Sequence, residues 1–425
     1  MTNLTAAFAA YLLHKAEQIT AQQQKKASSC ILDYLAVTEA GAKKNQIRWE
    51  PFLQHAPQGK APLLGLDRQT DGKTAALING FNAHSLELDD GQRFAMIHLG
   101  ASILSALESV SAEFGVTQER FTTGIIMGYE AACRAAIAMQ PSHKQRGYHT
   151  AGTCGTIGSA VGAAFALGFD TGQLRRVLTL AAGSAAGMLE LQEQRSELKP
   201  YNVGRAAMDG LAAAYVGMTD FETPEDMLGG ERGFFRTFSD AWDAEKLLSD
   251  QPFFEIERIY VKPYASCRHS HSAVEAAIRL HEQIQGREIA QVTVETYRLG
   301  VKGHDHTDIS GVASAKLSTP YAVAAALLRG RADLSVFEPL DDAAIALSPK
   351  VRVLESAELT AESPQKRIAS VTVRLADGTE LTRRVDYAKG DPENPMTKEE
   401  LLQKAASLVG AERVSQMISD HHLDI

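Results

Sequence analysis

Apolar residues recur three and four positions apart through about the first 250 residues, as in Phe8, Leu12 and Leu13. This spacing matches the turn of an amphipathic helix. The pattern predicts helices over residues 5–24, 27–41, 72–88, 101–114 and 120–139, and two apolar helices over residues 153–168 and 177–191. We therefore expect this part of the chain to be a helical domain.

Beyond residue 250 apolar and polar positions alternate. Residues 290–297, 368–375 and 380–385 show a period of two, and Asp377-Gly378 predicts a hairpin between the last two segments. Helices are predicted over residues 272–285, 319–328 and 397–408. This mixture is typical of an α+β domain.

Together these elements predict a mainly α fold. Residues 1–255 are expected to form a large all-helical domain, and residues 256–396 a smaller α+β lid domain. The C-terminal helix within residues 397–425 is expected to return to the first domain. Two domains also suit a chain of this length.

The predicted helix with the sequence GTIGSAVGAA, residues 155–164, is poor in large side chains. Each glycine inside a helix costs about 1 kcal/mol, so a close approach of neighbouring helices is expected in compensation. The two apolar helices approach the hydrophobicity of a membrane span. Both are shorter than the roughly 20 residues that a helix needs to cross a bilayer, and both have charged flanks. We therefore interpret them as buried core helices and do not expect a membrane as a partner.

The composition narrows the range of partners. The 425 residues carry 43 Lys and Arg against 52 Asp and Glu without a basic run, so nucleic acid is not an expected partner. The N-terminus lacks a basic region followed by an apolar run, which predicts a cytoplasmic protein. The cysteines are far apart and form no CxxC pair, so reduced thiols are expected.

The densest group of candidate catalytic side chains lies in residues 82–100. It begins with the segment NAHSLELDDG and continues to Arg93 and His98. In the predicted helix, His84 and Glu87 lie at positions i and i+3 and share one face. A solvated loop with an acidic exit is the alternative interpretation.

Three other segments place cations and histidines ahead of predicted helices. His149 stands at the entrance of the glycine-rich helix, where free N–H groups suit a carboxylate ligand. Lys199 precedes a small-residue helix, and residues 262–271, KPYASCRHSH, combine four potential cations with a thiol. The alternatives are a structural cap for His149 and a surface position for Lys199.

Metal binding has weaker support. The pairs His269/His271 and His304/His306 have HxH spacing, but no matched Cys, His or Asp spacing supplies a third ligand. A polar loop is the preferred interpretation of His304 and His306. No metal site is predicted.

Motifs for several common chemistries are absent from the sequence. It contains no GxGxxG after a strand, no GxxxxGK[ST], no GxSxG and no HExxH. Its clusters instead combine histidines, lysines and arginines with carboxylates. This set suits removal of a C–H proton next to a carboxylate, with cations stabilising the enediolate-like charge that develops.

In order along the chain, these motifs resemble those of the MmgE/PrpD family. Residues 82–100 are similar to its NAxxxHxLDxDD…HPG motif, 147–158 to G(F/W)HPTxxxGxxG, 199–206 to KxxHxGxAA, 262–271 to KxYPxCxxxH and 315–330 to AxFSLPYxxAxALLxG. The similarity covers nearly the whole chain. The family includes 2-methylcitrate dehydratase, cis-aconitate decarboxylase and iminodisuccinate epimerase.

The resemblance implies a homodimer without a cofactor, with an active site for a small di- or tricarboxylate in the cleft between the helical domain and the lid. The catalytic residues that it implies, by position in this sequence, are Asp90, His98, His149, Lys199, His269 and His271. The substrate-binding residues that we predict are Glu87, Arg93, Tyr148, Lys262, Ser266 and Arg268.

Three positions depart from the family motifs. Leu99 follows His98 where the family has proline, Thr150 follows His149, and Asn202 stands where the family has histidine. These departures concern the geometry of the site and the choice of substrate more than the scaffold.

The favoured hypothesis is a lyase of the dehydratase type. His149 or one of the His269/His271 pair removes a proton α to a carboxylate. His98 or Asp90 protonates the departing hydroxyl. An epimerase or a decarboxylase on the same scaffold is the first alternative, and a non-catalytic carboxylate-binding protein is the second.

Overall fold

The computed structural model describes residues 3–193 and 196–425. The chain divides into two compact units. Unit 1 combines the described residues up to Gln192 with Leu198–Ile259 and Thr397–Ile425, and unit 2 contains Tyr260–Met396 with the described residues between Gln192 and Leu198. The predicted fold class is confirmed, because the chain is mainly helical and its C-terminal region contains a mixed four-stranded sheet.

Unit 1 is built mainly from helices. They are α1 (Leu4–Ala16), α2 (Ala21–Leu53), α3 (Gly72–His84), α4 (Gly100–Phe114), α5 (Gln118–Met139), α6 (Ser142–Gln145), α7 (Thr150–Leu167), α8 (Thr171–Ser184), α9 (Lys199–Gly217), α10 (Phe234–Phe238) and α11 (Ala244–Leu248). The short strands β1 (Ala61–Pro62) and β2 (Gln69–Thr70) pair in antiparallel fashion.

Helix boundaries differ from the prediction where capping side chains decide them. The helix predicted over residues 5–24 ends at Ala16, and Thr20 starts a new helix by forming a capping box with Gln23. That helix continues to Leu53, beyond the predicted end. The helix predicted over residues 177–191 ends at Ser184, after which the backbone is extended.

The third helix also ends earlier than predicted, which changes the geometry of the densest cluster. α3 stops at His84, Ser85 is its C-cap, and Glu87 has a left-handed backbone with φ of 57°. The predicted helical face shared by His84 and Glu87 is therefore wrong. A left-handed residue other than glycine costs about 1–3 kcal/mol, so surrounding contacts must hold Glu87 in place.

The glycine-rich helix α7 lies in the core of unit 1, as predicted. A Cβ added at Gly158 would lie 2.8 Å from the Gly128 carbonyl oxygen of α5, and a Cβ at Gly128 would lie 2.8 Å from the Gly158 oxygen. Only glycine permits this backbone approach. By length and composition α7 resembles a membrane span, but 89% of it is buried inside the protein, as in a core helix.

Unit 2 combines helices with a sheet. Its helices are α12 (His271–Ile284), α13 (Arg298–Val301), α14 (Val312–Leu317), α15 (Thr319–Arg329), α16 (Asp342–Leu347) and α17 (Ala357–Ala361). The strands β3 (Ile289–Thr296), β4 (Val351–Glu355), β5 (Ala369–Leu375) and β6 (Glu380–Val385) form a sheet in the order β4-β3-β5-β6.

The predicted hairpin of unit 2 is confirmed. β5 and β6 are antiparallel, with Ala369 opposite Val385, and Gly378 in their turn has φ of 87°. β4 was not predicted. It pairs in parallel with β3, with Val292 opposite Val351, and its five residues are too few to show a clear alternation.

The last two helices, α18 (Lys398–Val409) and α19 (Ala411–Asp420), belong to unit 1. Lys404 of α18 donates hydrogen bonds to Asp33 of α2 at 2.5 Å and to the carbonyl oxygen of Leu88 at 2.8 Å. Both charged side chains are buried. The C-terminal segment therefore anchors the loop that follows α3.

Glu108 of α4 is a buried carboxyl group that predicts a pH effect on stability. Burial raises its pKa from 4.5 to about 7. Between these values the folded protein holds a proton that the unfolded chain releases, so the stabilising contribution of protonated Glu108 is lost as pH rises through 7. Relative to wild type, we expect Glu108→Gln to gain up to about 3 kcal/mol of unfolding free energy at pH 8 and none at pH 4.

Thermal melts of the wild type and Glu108→Gln at both pH values measure this difference. Glu282→Gln, at an exposed position of α12, is the matched control. Equal melting temperatures of Glu108→Gln and the wild type at pH 8 would contradict the prediction.

Candidate active site

The loop between α3 and α4 carries much of the predicted site. Gln92 and Ile97 form a backbone bridge within it, with hydrogen bonds of 2.9 and 3.3 Å. The side-chain amide of Gln92 donates to Glu255 Oε2 at 2.7 Å. Together with the bond from Lys404 to Leu88, these contacts fix a loop that lacks regular secondary structure.

Asp90 anchors this loop beneath the N-terminus of α4. Its Oδ1 accepts from the backbone N–H groups of Gly100 at 2.9 Å and Leu99 at 3.3 Å. Its Oδ2 accepts from the Tyr129 hydroxyl at 2.6 Å. Burial raises the pKa of Asp90 to about 6, against the lowering effect of Tyr129 and Gly100. Because both oxygens are engaged, a positioning role fits Asp90 better than the predicted acid role.

Tyr129→Phe tests this anchor. We expect the variant to lose about 1–3 kcal/mol of unfolding free energy, because the buried Asp90 carboxylate loses a hydrogen bond from a neutral donor. Urea denaturation measures the loss. Tyr201→Phe, at a residue that is 44% exposed, is the matched control, and an equal loss in both variants would contradict the prediction.

His98 is oriented through its Nδ1 atom. This nitrogen lies 2.7 Å from the carbonyl oxygen of Asp90 and 3.4 Å from Asp89 Oδ2. A carbonyl oxygen only accepts, so Nδ1 carries a proton, and a neutral His98 ring can take up a second proton only at Nε2. The side chain is 16% exposed, whereas Asp89 is buried.

A buried pair, His84 and Asp89, lies beside His98 and was not among the predicted catalytic residues. His84 Nδ1 is 2.7 Å from Asp89 Oδ2, and both side chains are buried. The rings of His84 and His98 meet edge to face, with centroids 4.9 Å apart. The site therefore contains a buried His84–Asp89 pair next to the partly exposed His98.

Potential ligand atoms of His84, Asp89 and His98 lie within 4.8 Å of one another, a spacing that a metal ion can use. However, Nδ1 of His98 carries a proton that it donates to a carbonyl group. The 2.7 Å contact between His84 and Asp89 is also shorter than the separation of about 3.3 Å between two ligands of a tetrahedral ion. The three side chains fit a hydrogen-bonded cluster better than a metal centre.

His149 occupies the N-cap position of α7, but its side chain makes no capping hydrogen bond. The backbone N–H donates to the Gly187 oxygen at 3.1 Å, while the ring is buried and its centroid lies 6.0 Å from that of His84. Burial lowers the pKa of His149 well below its usual value, and Lys199, His84 and His98 lower it further, against the effect of Glu87. The imidazole is therefore neutral at neutral pH.

Lys199, the first residue of α9, forms an ion pair with Glu87. Both side chains are largely buried. The left-handed backbone of Glu87 is thus accompanied by a charge-assisted contact that holds its carboxylate on the lysine. Unit 1 in this way brings Glu87 and Lys199 close to the histidines.

Residues at the departures from the family motifs have structural partners. Asn202 donates to the Met188 carbonyl oxygen at 3.0 Å, and Thr150 Oγ1 accepts from Gln140 at 2.9 Å. Leu99 is the N-cap residue of α4 without a side-chain capping bond. The first two therefore tie together segments around the entrance of α7.

Two predicted substrate-binding residues of unit 1 contact aromatic rings. The Arg93 guanidinium lies 5.0 Å from the centroid of Phe94. The Tyr148 ring stacks on His143 with centroids 5.2 Å apart and meets Phe238 edge to face at 4.9 Å. Tyr148 thus packs within an aromatic cluster beside the N-terminus of α7.

Unit 2 contains the other predicted residues. Lys262 and Ser266 are buried. Arg268 forms an ion pair with Asp391 at 2.5 Å and lies 4.8 Å from the ring centroid of Tyr260. Burial disfavours the charged guanidinium, but Asp391 outweighs it and raises the pKa of Arg268. Its charge is therefore held in the interior by a carboxylate.

The two predicted histidines of unit 2 have different surroundings. His269 Nδ1 is 2.7 Å from the Tyr297 hydroxyl, and its ring stacks on His304 with centroids 5.2 Å apart. His271 is fully buried and its Nε2 donates to the Ser266 carbonyl oxygen at 3.1 Å. A structural role suits His271, and His269 is the more accessible of the two.

Sequence reasoning missed the partners of several predicted residues. His84 and Asp89 belong to the same segment as Asp90 and had a signal in that motif, although they were not chosen. Tyr129 and Asp391 come from distant parts of the chain and had none. Residues such as Tyr129 and Asp391 reach their partners only through the packing of distant segments, so no local sequence pattern identifies them.

The fold and the site define a class of protein: a mainly helical chain with an α+β C-terminal region, in which a buried cluster combines histidines with a lysine–carboxylate pair. The chain belongs to the MmgE/PrpD family. Residues 6–247 match its N-terminal domain, and residues 264–421 match its C-terminal domain.

Curated relatives are distant in sequence. The cis-aconitate decarboxylase-like protein oryM of Aspergillus oryzae is 24% identical, over 95% of this chain and 90% of its own length. The cis-aconitate decarboxylase of Homo sapiens is 22% identical, over 78% of this chain and 71% of its own. The Mus musculus enzyme is also 22% identical, over 78% and 70%. The chain is thus similar to decarboxylases along most of its length.

Proposed function

We propose that the protein is a lyase that acts on a small di- or tricarboxylate and moves a proton between a histidine and the carbon next to a carboxylate. The observation that carries this proposal is the buried His149, whose pKa is lowered by burial and by the nearby Lys199, so that the ring is neutral at neutral pH. A neutral imidazole accepts a proton at neutral pH, and a nearby cation stabilises the negative charge that develops. Membership of the MmgE/PrpD family supports the carboxylate class.

Two of the three clustered histidines, His149 and His98, have the different surroundings that a base and an acid need. Burial and the neighbouring Lys199 lower the pKa of His149. His98 Nδ1 lies 3.4 Å from Asp89 Oδ2 and donates to the Asp90 carbonyl oxygen, so this ring is held beside a carboxylate. We assign the base to His149 and the acid to His98. Loss of water requires both roles, so this pair supports dehydration of a substrate such as 2-methylcitrate.

Lys199 is the cation that we assign to a substrate carboxylate in unit 1. Its ammonium group has three N–H donors, and the ion pair with Glu87 leaves donors for a ligand. Glu87 in turn limits the charge of the site, so a carboxylate substrate meets a cation that is already partly neutralised. This pairing supports a role for Glu87 in substrate choice.

Decarboxylation is the second candidate reaction, because the relatives named above are cis-aconitate decarboxylases or similar to one. Loss of carbon dioxide needs a proton donor for the new carbanion but no acid for a leaving hydroxyl. The independence from cofactors, the homodimer, the cytoplasmic location and the cleft between domains stay predictions.

Proton NMR in deuterated water distinguishes these reactions. The protein is incubated separately with 2-methylcitrate, citrate, cis-aconitate and iminodisuccinate. Loss of water, loss of carbon dioxide and deuteration at the α carbon without a net reaction identify a dehydratase, a decarboxylase and an epimerase, respectively. Measurable binding without a reaction of any of the four would contradict the proposed lyase for these substrates and favour a binding protein.

A further inference from the structure

His84 is a buried histidine to which the mechanism above assigns no step. Its side chain is fully buried, and Nδ1 is occupied by Asp89 at 2.7 Å. Its Nε2 has no hydrogen-bond partner among the described residues, and the same holds for Nδ1 of the neighbouring His149. Buried polar atoms are normally paired, so two unpaired imidazole nitrogens in one cluster indicate a role beyond packing.

Asp89 is positioned to serve two histidines. The same oxygen, Oδ2, lies 2.7 Å from His84 Nδ1 and 3.4 Å from His98 Nδ1. One carboxylate offsets one added positive charge, so it can stabilise a proton on either ring. The carboxylate on the other side of the cluster, Glu87, is already paired with Lys199.

We propose that His84 is a positioning residue that, together with Asp89, keeps the positive charge of the cluster on the side of His84 and His98 and leaves His149 free to act as the base. The role of His84 in catalysis rests on the proposed function. The distribution of protons among the three rings is independent of the proposed function, because it exists without substrate.

The electrostatic surroundings of His149 support this assignment. After burial, the groups that lower its pKa are the ammonium of Lys199 and the rings of His84 and His98, and Glu87 acts in the opposite direction. These charged and titratable groups come from α3, the following loop and α9. His84 makes ring contacts with both other histidines, at centroid distances of 4.9 and 6.0 Å.

The first test is the pH profile of kcat/KM for His84→Gln. Glutamine retains an amide donor for Asp89 but cannot take up a proton. The variant removes one of the imidazoles that lower the pKa of His149, so this pKa rises, and Asp89 no longer serves a second imidazole beside that of His98. We expect both limbs of the profile to move to higher pH by about half a unit or more.

Asp89→Asn is the matched variant for which the opposite shift of the pH profile is expected. This substitution removes the negative charge that supports protonated rings, so both limbs should move to lower pH. Unchanged limbs in His84→Gln, with an activity loss that is equal at every pH, would show a purely structural role and overturn the inference. Stoichiometric zinc in the purified wild type that is lost from His84→Gln would also overturn it, because the rings would then be metal ligands.

A second measurement separates this inference from the proposed function. The ring protons of His149 are titrated by NMR without substrate in the wild type and in His84→Gln. A titration of His149 at higher pH in the variant supports the inference even if no carboxylate is turned over, and an unchanged titration overturns it. If His84→Gln fails to fold, the titration of His149 in Asp89→Asn decides: movement to lower pH supports the inference and no movement overturns it.

Discussion

His149→Ala is expected to lower kcat by about 10²–10⁴-fold, the range typical of a lost general base, while the protein remains folded. The histidine side chain caps no backbone group of α7, so its removal takes no hydrogen bond from the helix. The backbone N–H of residue 149 still donates to the Gly187 oxygen. Steady-state kinetics on the substrate identified by NMR measure the loss, and near-UV circular dichroism verifies the fold.

The control for this variant is His14→Ala, because His14 is an exposed histidine of α1 with 69% of its side chain accessible. It should retain the wild-type kcat. A kcat for His149→Ala close to that of the wild type would remove His149 from the mechanism. The base would then have to be sought elsewhere, and His269 of unit 2 would be the next candidate.

Lys199→Met is expected to lower kcat/KM by roughly 30-fold or more, mainly by raising KM. The pair that is lost is the one between Lys199 and a substrate carboxylate. Truncation of one partner of a buried charge pair costs about 2–5 kcal/mol of binding free energy, and every 1.4 kcal/mol corresponds to about tenfold in affinity. The variant also removes the cation that is paired with the Glu87 carboxylate, whose side chain is only 12% exposed. We therefore expect a lower melting temperature as well as weaker binding.

The double variant Glu87→Gln/Lys199→Met separates the two effects of the lysine. Neutral glutamine removes the negative charge that has lost its lysine, so stability should recover, whereas binding of a carboxylate should not. Lys73→Met, at an exposed lysine of α3, is the control for loss of a positive charge. If KM were the same in Lys199→Met and in Lys73→Met, Lys199 would not bind the substrate.

The sequence predicted the helical part of the fold well where the apolar spacing was sustained, as in α4 and α5. It predicted boundaries poorly, because a single side chain can decide where a helix starts. Thr20 closes a capping box and divides what the apolar spacing presents as one helix. The left-handed turn at Glu87 had no sequence signal, since glycine is the residue expected there.

For the site, local motifs point to candidate groups with chemistry but not to the groups that hold them. Asp90, His98 and His149 were chosen because histidines and carboxylates stand close together in sequence or ahead of a helix. Tyr129 and Lys404 hold parts of this loop from residues far away in the chain. Such contacts arise only when the helices pack, so no local pattern could predict them.

The contact between Lys404 and the loop after α3 has a consequence for biosynthesis. The match to the C-terminal family domain extends to residue 421, yet the helix that carries Lys404 folds into unit 1. Lys404 lies 316 residues after Leu88, so the loop around Leu88 is anchored only after most of both matched domains has left the ribosome. A chain cut between the two matched domains would remove the ion pair between Lys404 and Asp33. Recombination between relatives must therefore exchange the C-terminal segment together with the N-terminal helices.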